Sequence, residues 1–377
     1  MRILFYATNG LGLGHVTRLL AISRAIRKEN SSHEILFLSR CEAGPYPHED
    51  APFTIRIPGP SRARLSGISP KSYYQTSQPL LWQTVSSFDP HLLVTDTFPE
   101  GPEGELAPIM KWPIRKAFVY RDSRPGSFRE DEARPRLAPY QMILVAHDPE
   151  AISLPPWLEK DPRVRFTGPI SENGPTEPRE NLRKRLGMRG DKAAIVTFGG
   201  GGDPETEEVL RVVVRGLRDR HVEVFVATGP LSRKMPDSIT AREWFPAWPL
   251  APWLPAFDLA VASGGYNTVT ELGNSGLSSL LIPFERDLDD QVKRAREAEM
   301  AGWAISVPSR EESEIKKGLD RLLNDHIHLK KGGNGRPKSC YGAERAAALL
   351  LELMKNVNAT PLQKGSLPPE TPNVLAH

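Results

Sequence analysis

The chain has 377 residues, 39% of them hydrophobic and 25% charged, an ordinary globular profile with length enough for two cores. A net charge of +3, from 49 Lys+Arg against 46 Asp+Glu, is too mild for a nucleic-acid surface, so no nucleic-acid partner is expected. The two cysteines, Cys41 and Cys340, form neither a metal spacing nor a disulfide framework, and the first apolar run is too short for a signal peptide or a membrane span; the expected compartment is the cytoplasm, with membrane contact, if any, peripheral.

In chain order, Arg2–Thr8 reads as a buried strand and Gly14–Lys28 as a helix with apolar Val16, Leu19, Leu20, Ala21 and Ile26. Strands are expected at Glu34–Ser39, Phe53–Ile57 and Leu92–Thr95, the last ending at Asp96. Pro60–Pro70, with Arg62 and Arg64, reads as a polar loop and Tyr73–Phe88 as a helix. Arg115–Tyr120 and Met142–Ala146 are further strands. The Pro- and Gly-containing stretch 171–180 is the natural linker. The pattern then restarts: strand Ala193–Phe198, the glycine run 199–202, and a helix over Pro204–Leu217. Strands follow at Val222–Ala227, Leu259–Ala262 and Ser279–Ile282, and a helix at Asp289–Ala301. Short apolar strands alternating with helices predict α/β domains with parallel sheets covered on both faces. The expected division is 1–170, a linker at 171–180, a second domain at 181–340, a helix at 341–355 that could pack back on the first domain, and a polar, Pro-rich disordered tail at 356–377.

Two glycine-rich strings stand where a strand hands over to a helix, about 250 residues apart in sequence. The first is Gly10-Leu11-Gly12-Leu13-Gly14-His15 and the second is Ser263-Gly264-Gly265-Tyr266-Asn267-Thr268. Ligands of open α/β sheets bind at such strand ends, and a cleft between two domains would bring the strings together. Bare backbone N–H groups at a helix start attract anions, so Ser263–Thr268 and the run Gly199, Gly200, Gly201 are candidates for cradling a diphosphate; a turn needing positive φ is the alternative account of the run, though four consecutive glycines exceed what one turn needs. Glu271, one turn into the second helix, suits a ribose diol, or else complements the helix dipole. Asp290 and Gln291 start another helix, where they could hold sugar hydroxyls; ordinary N-capping competes. His15, beside Gly14, is the candidate general base, since its pKa lies near working pH. Such a base needs a carboxylate to orient it: Asp96 is the first choice and Asp122 the second. Arg18, one turn beyond His15, could face the cleft or be solvated. Trp244, Trp248 and Trp253 are more simply core residues than nucleobase platforms.

Phe257–Ala304, with its SGGYNTVTE core and the following IPFERDLDDQ, resembles the donor half of GT-B glycosyltransferases of the MurG type, and GLGLGHVTR resembles that family's acceptor-side loop. LLVTDTFPEGPEGEL and VRFTGPI are similar to stretches in bacterial and archaeal chains known only as predicted glycosyltransferases. The resemblance spans about residues 1–355. It implies two Rossmann-like domains facing across a cleft, with a nucleotide-diphospho-sugar, most often UDP-linked, on the second and an unknown acceptor on the first. It further implies inversion at the anomeric carbon, with no metal and no cofactor beyond the co-substrate. The implied roles fall on Gly264–Asn267 for diphosphate, Glu271 for ribose, Asp290 and Gln291 for sugar and His15 for proton removal. One departure is Leu13, which stands between two glycines where the family has them adjacent. GHVTR also resembles UDP-sugar hydrolases of the same fold, the nearest alternative; a non-catalytic nucleotide-sugar sensor is the non-enzyme alternative. A nicotinamide enzyme is excluded: the third glycine of its motif falls on His15 or Thr17, and no acidic residue ends the second strand.

Overall fold

The computed structural model describes residues 1–8, 13–41, 53–122, 129–171, 177–199, 206–229, 232, 235–286, 289–331 and 341–355. The first half contributes β1 (Arg2–Ala7), α1 (Gly14–Glu29), β2 (Glu34–Ser39), β3 (Phe53–Arg56), α2 (Pro60–Leu65), α3 (Pro70–Phe88), β4 (Leu92–Asp96), β5 (Arg115–Tyr120), α4 (Glu130–Leu137), β6 (Met142–Val145), α5 (Pro156–Glu159) and β7 (Val164–Phe166). The second half contributes α6 (Arg179–Arg185), β8 (Ala193–Thr197), α7 (Thr206–Arg218), β9 (Glu223–Val226), β10 (Leu259–Ala262), α8 (Tyr266–Ser275), β11 (Ser278–Leu281), α9 (Gln291–Met300), β12 (Ala304–Ser306), α10 (Glu312–Lys331) and α11 (Gly342–Lys355).

The strands form two separate parallel sheets. One has seven strands in the order β3-β2-β1-β4-β5-β6-β7, the other five in the order β12-β11-β10-β8-β9. Their central strands are buried throughout because helices cover both faces: β4 reads LLVTD with every residue buried, β10 LAVA likewise. The two-domain α/β expectation holds, and most strands lie within a residue or two of their predicted bounds.

Three differences have local causes. Pro60–Leu65 is a short helix rather than a loop: Gly59 precedes it in extended conformation and Pro60 opens it, where a missing N–H costs nothing. The long helix begins at Pro70, three residues before its predicted start, because the Ser69 hydroxyl accepts from the Ser72 N–H and caps it. The last third also contains β12 and the 20-residue α10, neither of which was predicted. Of the predicted linker, residues 172–176 lie outside the described residues and Arg179 already opens α6. The predicted tail 356–377 and the start of the helix at Pro204 lie outside them too.

The helix α11 lies on α1, under the seven-stranded sheet. Ala346, Ala347, Leu350 and Leu351 share a core with Val16, Leu19, Ile22 and Ile26. Arg115 closes its far end, donating from Nη1 to the carbonyls of Leu353 (2.9 Å) and Met354 (3.0 Å), where the helix leaves acceptors unsatisfied.

Candidate active site

Each sheet has one point where the strand order reverses. In the first it lies between β1 and β4, in the second between β8 and β10. Loops leaving such neighbouring strands diverge and open a crevice at their carboxyl ends. His15, on the first turn of α1, and Asp96, the last residue of β4, occupy the first crevice. Gly199 after β8 and Ser263–Gly265 after β10 occupy the second. The two crevices meet. Asn267 Nδ2 donates to the carbonyl of Gly14 at 3.0 Å, and the Tyr266 hydroxyl donates to the carbonyl of Ala146. Tyr266, from the second sheet's loop, is buried within the first sheet's core.

In the first crevice His15 Nδ1 lies 2.6 Å from Asp96 Oδ1. Asp96 is fully buried, whereas 13% of the His15 side chain is exposed, at the cleft. Arg18 donates to the same carboxylate from Nε (2.7 Å to Oδ2) and Nη2 (2.7 Å to Oδ1), and the Thr97 hydroxyl donates to Oδ1 at 2.7 Å. Thr97 is held at φ +64°, a conformation costly for a β-branched residue, of order 1–3 kcal/mol. That strained turn aims its hydroxyl back at Asp96. Burial alone would raise the Asp96 pKa, but Arg18 and His15 together hold it well below the usual carboxylate range. The imidazole of His15 is shifted down, because its burial outweighs the pull of Asp96. An ionised Asp96 accepts from Nδ1–H, which leaves the Nε2 lone pair of a neutral imidazole available to take a proton. Asp96, not Asp122, is therefore the carboxylate at His15: Asp122 Oδ2 accepts from Lys293 Nζ at 2.8 Å.

In the second crevice the chain turns from β10 into α8 through Gly264 and Gly265. Gly264 lies directly beneath the start of α9, and a Cβ there would meet the Gln291 carbonyl oxygen at 2.6 Å. Arg294 Nη1 donates to the Gly264 carbonyl at 2.6 Å and fixes the turn from the outside. Ser263 and Glu271 are buried, and Asn267 and Thr268 are partly exposed on the first turn of α8. Gly199 takes φ +95°, so its glycine is required by the turn itself; Gly200 and Gly201 lie outside the described residues.

The loop before α9 leads into the two residues expected to hold the sugar. Asp290 Oδ1 accepts from the Lys293 N–H at 3.0 Å, which makes it a helix cap. Gln291 is buried, its Oε1 accepting from the Phe284 N–H at 3.0 Å. Asp289, passed over in the sequence, joins the two halves: it accepts from Arg121 Nη1 at 2.8 Å and from Arg294 Nη2 at 3.0 Å. His147, also passed over, accepts from the Asp122 N–H at 3.0 Å. Burial and the surrounding Arg294, Arg18, Arg121 and Lys293 push its imidazole down to about 3. The sequence signals for Arg18 were its place one turn beyond His15 and a charge inside the apolar stripe of α1; Asp289, Arg121 and His147 carried none. The three tryptophans all pack: Trp248 on the first core, Trp244 on the second with its indole donating to Thr228 (2.8 Å), and Trp253 against Phe245.

Residues 210–334, which include the donor string, match the glycosyltransferase family 28 C-terminal domain. Over 359 residues the chain is 26% identical to the UDP-N-acetylglucosamine--N-acetylmuramyl-(pentapeptide) pyrophosphoryl-undecaprenol N-acetylglucosamine transferase of Halothermothrix orenii, covering 88% of this chain and 92% of that one. The chain is a glycosyltransferase of the GT-B fold, similar to the MurG enzymes. The Aquifex aeolicus enzyme of the same name is 26% identical over 150 residues, 38% of this transferase and 43% of its relative. Among solved structures, CalG4, the calicheamicin glycosyltransferase, superposes with a TM-score of 0.61 at 16% identity, covering 95% of this chain and 99% of that one. The transferase takes a nucleotide-sugar donor. Among its described residues no helix is long and apolar enough to cross a membrane.

Proposed function

We propose that the enzyme is an inverting transferase that moves a hexose or N-acetylhexosamine from a UDP-linked donor to an acceptor hydroxyl in the cytoplasm, with His15 as general base and no metal or cofactor. The observation that carries this reading is the Asp96–His15 pair, 2.6 Å apart at the cleft, with Asn267 of the donor loop seated on the residue before the base. His15 Nε2 takes the acceptor proton. The freed oxygen attacks the anomeric carbon, the bond to the diphosphate oxygen breaks, and the configuration inverts. Asp96 stabilises the imidazolium that forms. The negative charge leaving with the nucleotide meets the N-terminus of α8. Glu271, buried on that helix, is the group for the ribose hydroxyls. The names of the relatives support the UDP-linked N-acetylhexosamine; the acceptor lies on the first domain.

The test is thermal stabilisation by UDP, GDP, dTDP and their sugars, followed by release of free nucleotide diphosphate with and without a cell extract. Extract-dependent release supports transfer, and equal release without extract indicates hydrolysis instead. His15→Ala is expected to lose at least about 100-fold in rate while donor stabilisation persists. Near-normal turnover in His15→Ala would remove the base from the mechanism.

A further inference from the structure

Arg18 is 1% exposed, the largest fully buried side chain among the described residues. A guanidinium so deep costs several kcal/mol unless it is fully paired. Its pairing is two-sided: Nε and Nη2 grip both oxygens of Asp96, while Nη1 points to Asn267 Oδ1 at 3.5 Å and the group lies 5.2 Å from the Tyr266 ring centre. A base on the pattern of His15 sets Asp96 two conflicting tasks. The carboxylate must accept from Nδ1–H and so fix the ring. Yet a lone buried carboxylate at 2.6 Å would also pull the imidazole toward its charged form, against the burial that keeps it neutral.

We propose that Arg18 is a positioning residue for the transfer reaction: by clasping both oxygens of Asp96 it fixes that carboxylate against His15 Nδ1 and offsets its charge, so that His15 stands as a neutral base before substrate arrives. This rests on the reading of His15 as the base. The charged groups acting on His15 among the described residues are Asp96 from the end of β4, Arg18 from its own helix and Arg121 from the end of β5. Arg121 is itself paired with Asp289 at 2.8 Å, and the ring packed against His15, that of Phe98, is uncharged. Arg18 is thus the cation in direct contact with the carboxylate that His15 uses.

The experiment follows His15 directly, by NMR titration of histidine-labelled protein with the His15 signal assigned from His15→Gln, beside the pH dependence of donor turnover. In the wild type His15 is expected to titrate below the ordinary imidazole value of about 6.5 despite its carboxylate partner. In Arg18→Gln both the titration and the acid limb of the rate profile should move up by about 1 unit or more, and Arg18→Lys, which restores the charge, should bring them most of the way back. A His15 titration unchanged in Arg18→Gln overturns the proposal. So does a wild-type His15 that titrates above 6.5, which needs no variant and stands even if Arg18→Gln does not fold. Failure of the base reading is a separate result, since it shows as retained turnover in His15→Ala whatever the titration does.

Discussion

Two adjacent glycines in the donor loop should respond in opposite ways to the same added methyl group. At Gly264 the new Cβ would lie 2.6 Å from the carbonyl oxygen and 2.9 Å from the Cβ of Gln291. Restoring an ordinary contact moves the first turn of α9 away by roughly 0.8 Å, and backbone cannot rotate aside as a side chain does. That displacement carries Asp289 and Arg294 with it, stretching the 2.8 Å bond from Arg121 to Asp289 toward the limit of hydrogen-bond range. Overpacking of this kind costs about 1–3 kcal/mol, or roughly 2 to 12 °C in Tm for a domain of this size. At Gly265 the nearest atoms to a Cβ are at 3.8 and 3.9 Å, and its φ of −63° and ψ of 142° suit any residue. Gly265→Ala should therefore keep or slightly raise the melting temperature. If its bare backbone serves the diphosphate, it should still lose donor affinity. Differential scanning fluorimetry with and without UDP, and donor KM for both variants, separate the two effects. An unchanged Tm and donor KM in Gly264→Ala, or a destabilised Gly265→Ala, would refute the steric argument.

Glu271→Ala should raise donor KM by about an order of magnitude or more with a smaller change in kcat, because a charged hydrogen bond to the donor is present before and during reaction; equal loss in kcat and kcat/KM would contradict the ribose role. Leu350→Ala, fully buried between α11 and α1, should cost about 2–5 kcal/mol in urea unfolding, and a loss under 1 kcal/mol would mean that the helix is not part of the first core. His147 makes stability fall on acidification. Its folded pKa is pushed down to about 3 while the unfolded group titrates near 6.5, so between those values the unfolded state binds the extra proton. The expected slope from this one group is up to about 1.4 kcal/mol per pH unit, and His147→Gln should flatten the curve between pH 6 and 4; parallel curves would exclude it.

The parallel sheets were legible because a strand buried on both faces is a short apolar run, as in Leu92–Val94 of β4 and Leu259–Ala262. The pairing of His15 with Asp96 was legible because both stand at strand ends, where loops converge. Short helices were not: six residues at Pro60–Leu65 make under two turns, too few for a period to show. The apolar spacing of α10 at Ile315, Leu319 and Leu322 was present but sat in a polar stretch. Arg18 stayed open for a different reason: its position placed it inward, its charge outward, and the buried Asp96 carboxylate reconciles the two. Contacts such as Asn267 to Gly14 or Arg121 to Asp289 depend on how two sheets face each other, which no local pattern encodes.

The packing of α11 on α1 has a consequence for how the protein is made. Val16, Leu19, Ile22 and Ile26 leave the ribosome more than 300 residues before the Ala343–Met354 segment that supplies part of their cover. At about 5–20 residues per second, that apolar stripe waits on the order of 15 to 60 s for its lid. The second sheet is synthesised completely within that interval. The half of the molecule that begins first is therefore the half that finishes last, and its nascent form is a natural client for a holding chaperone.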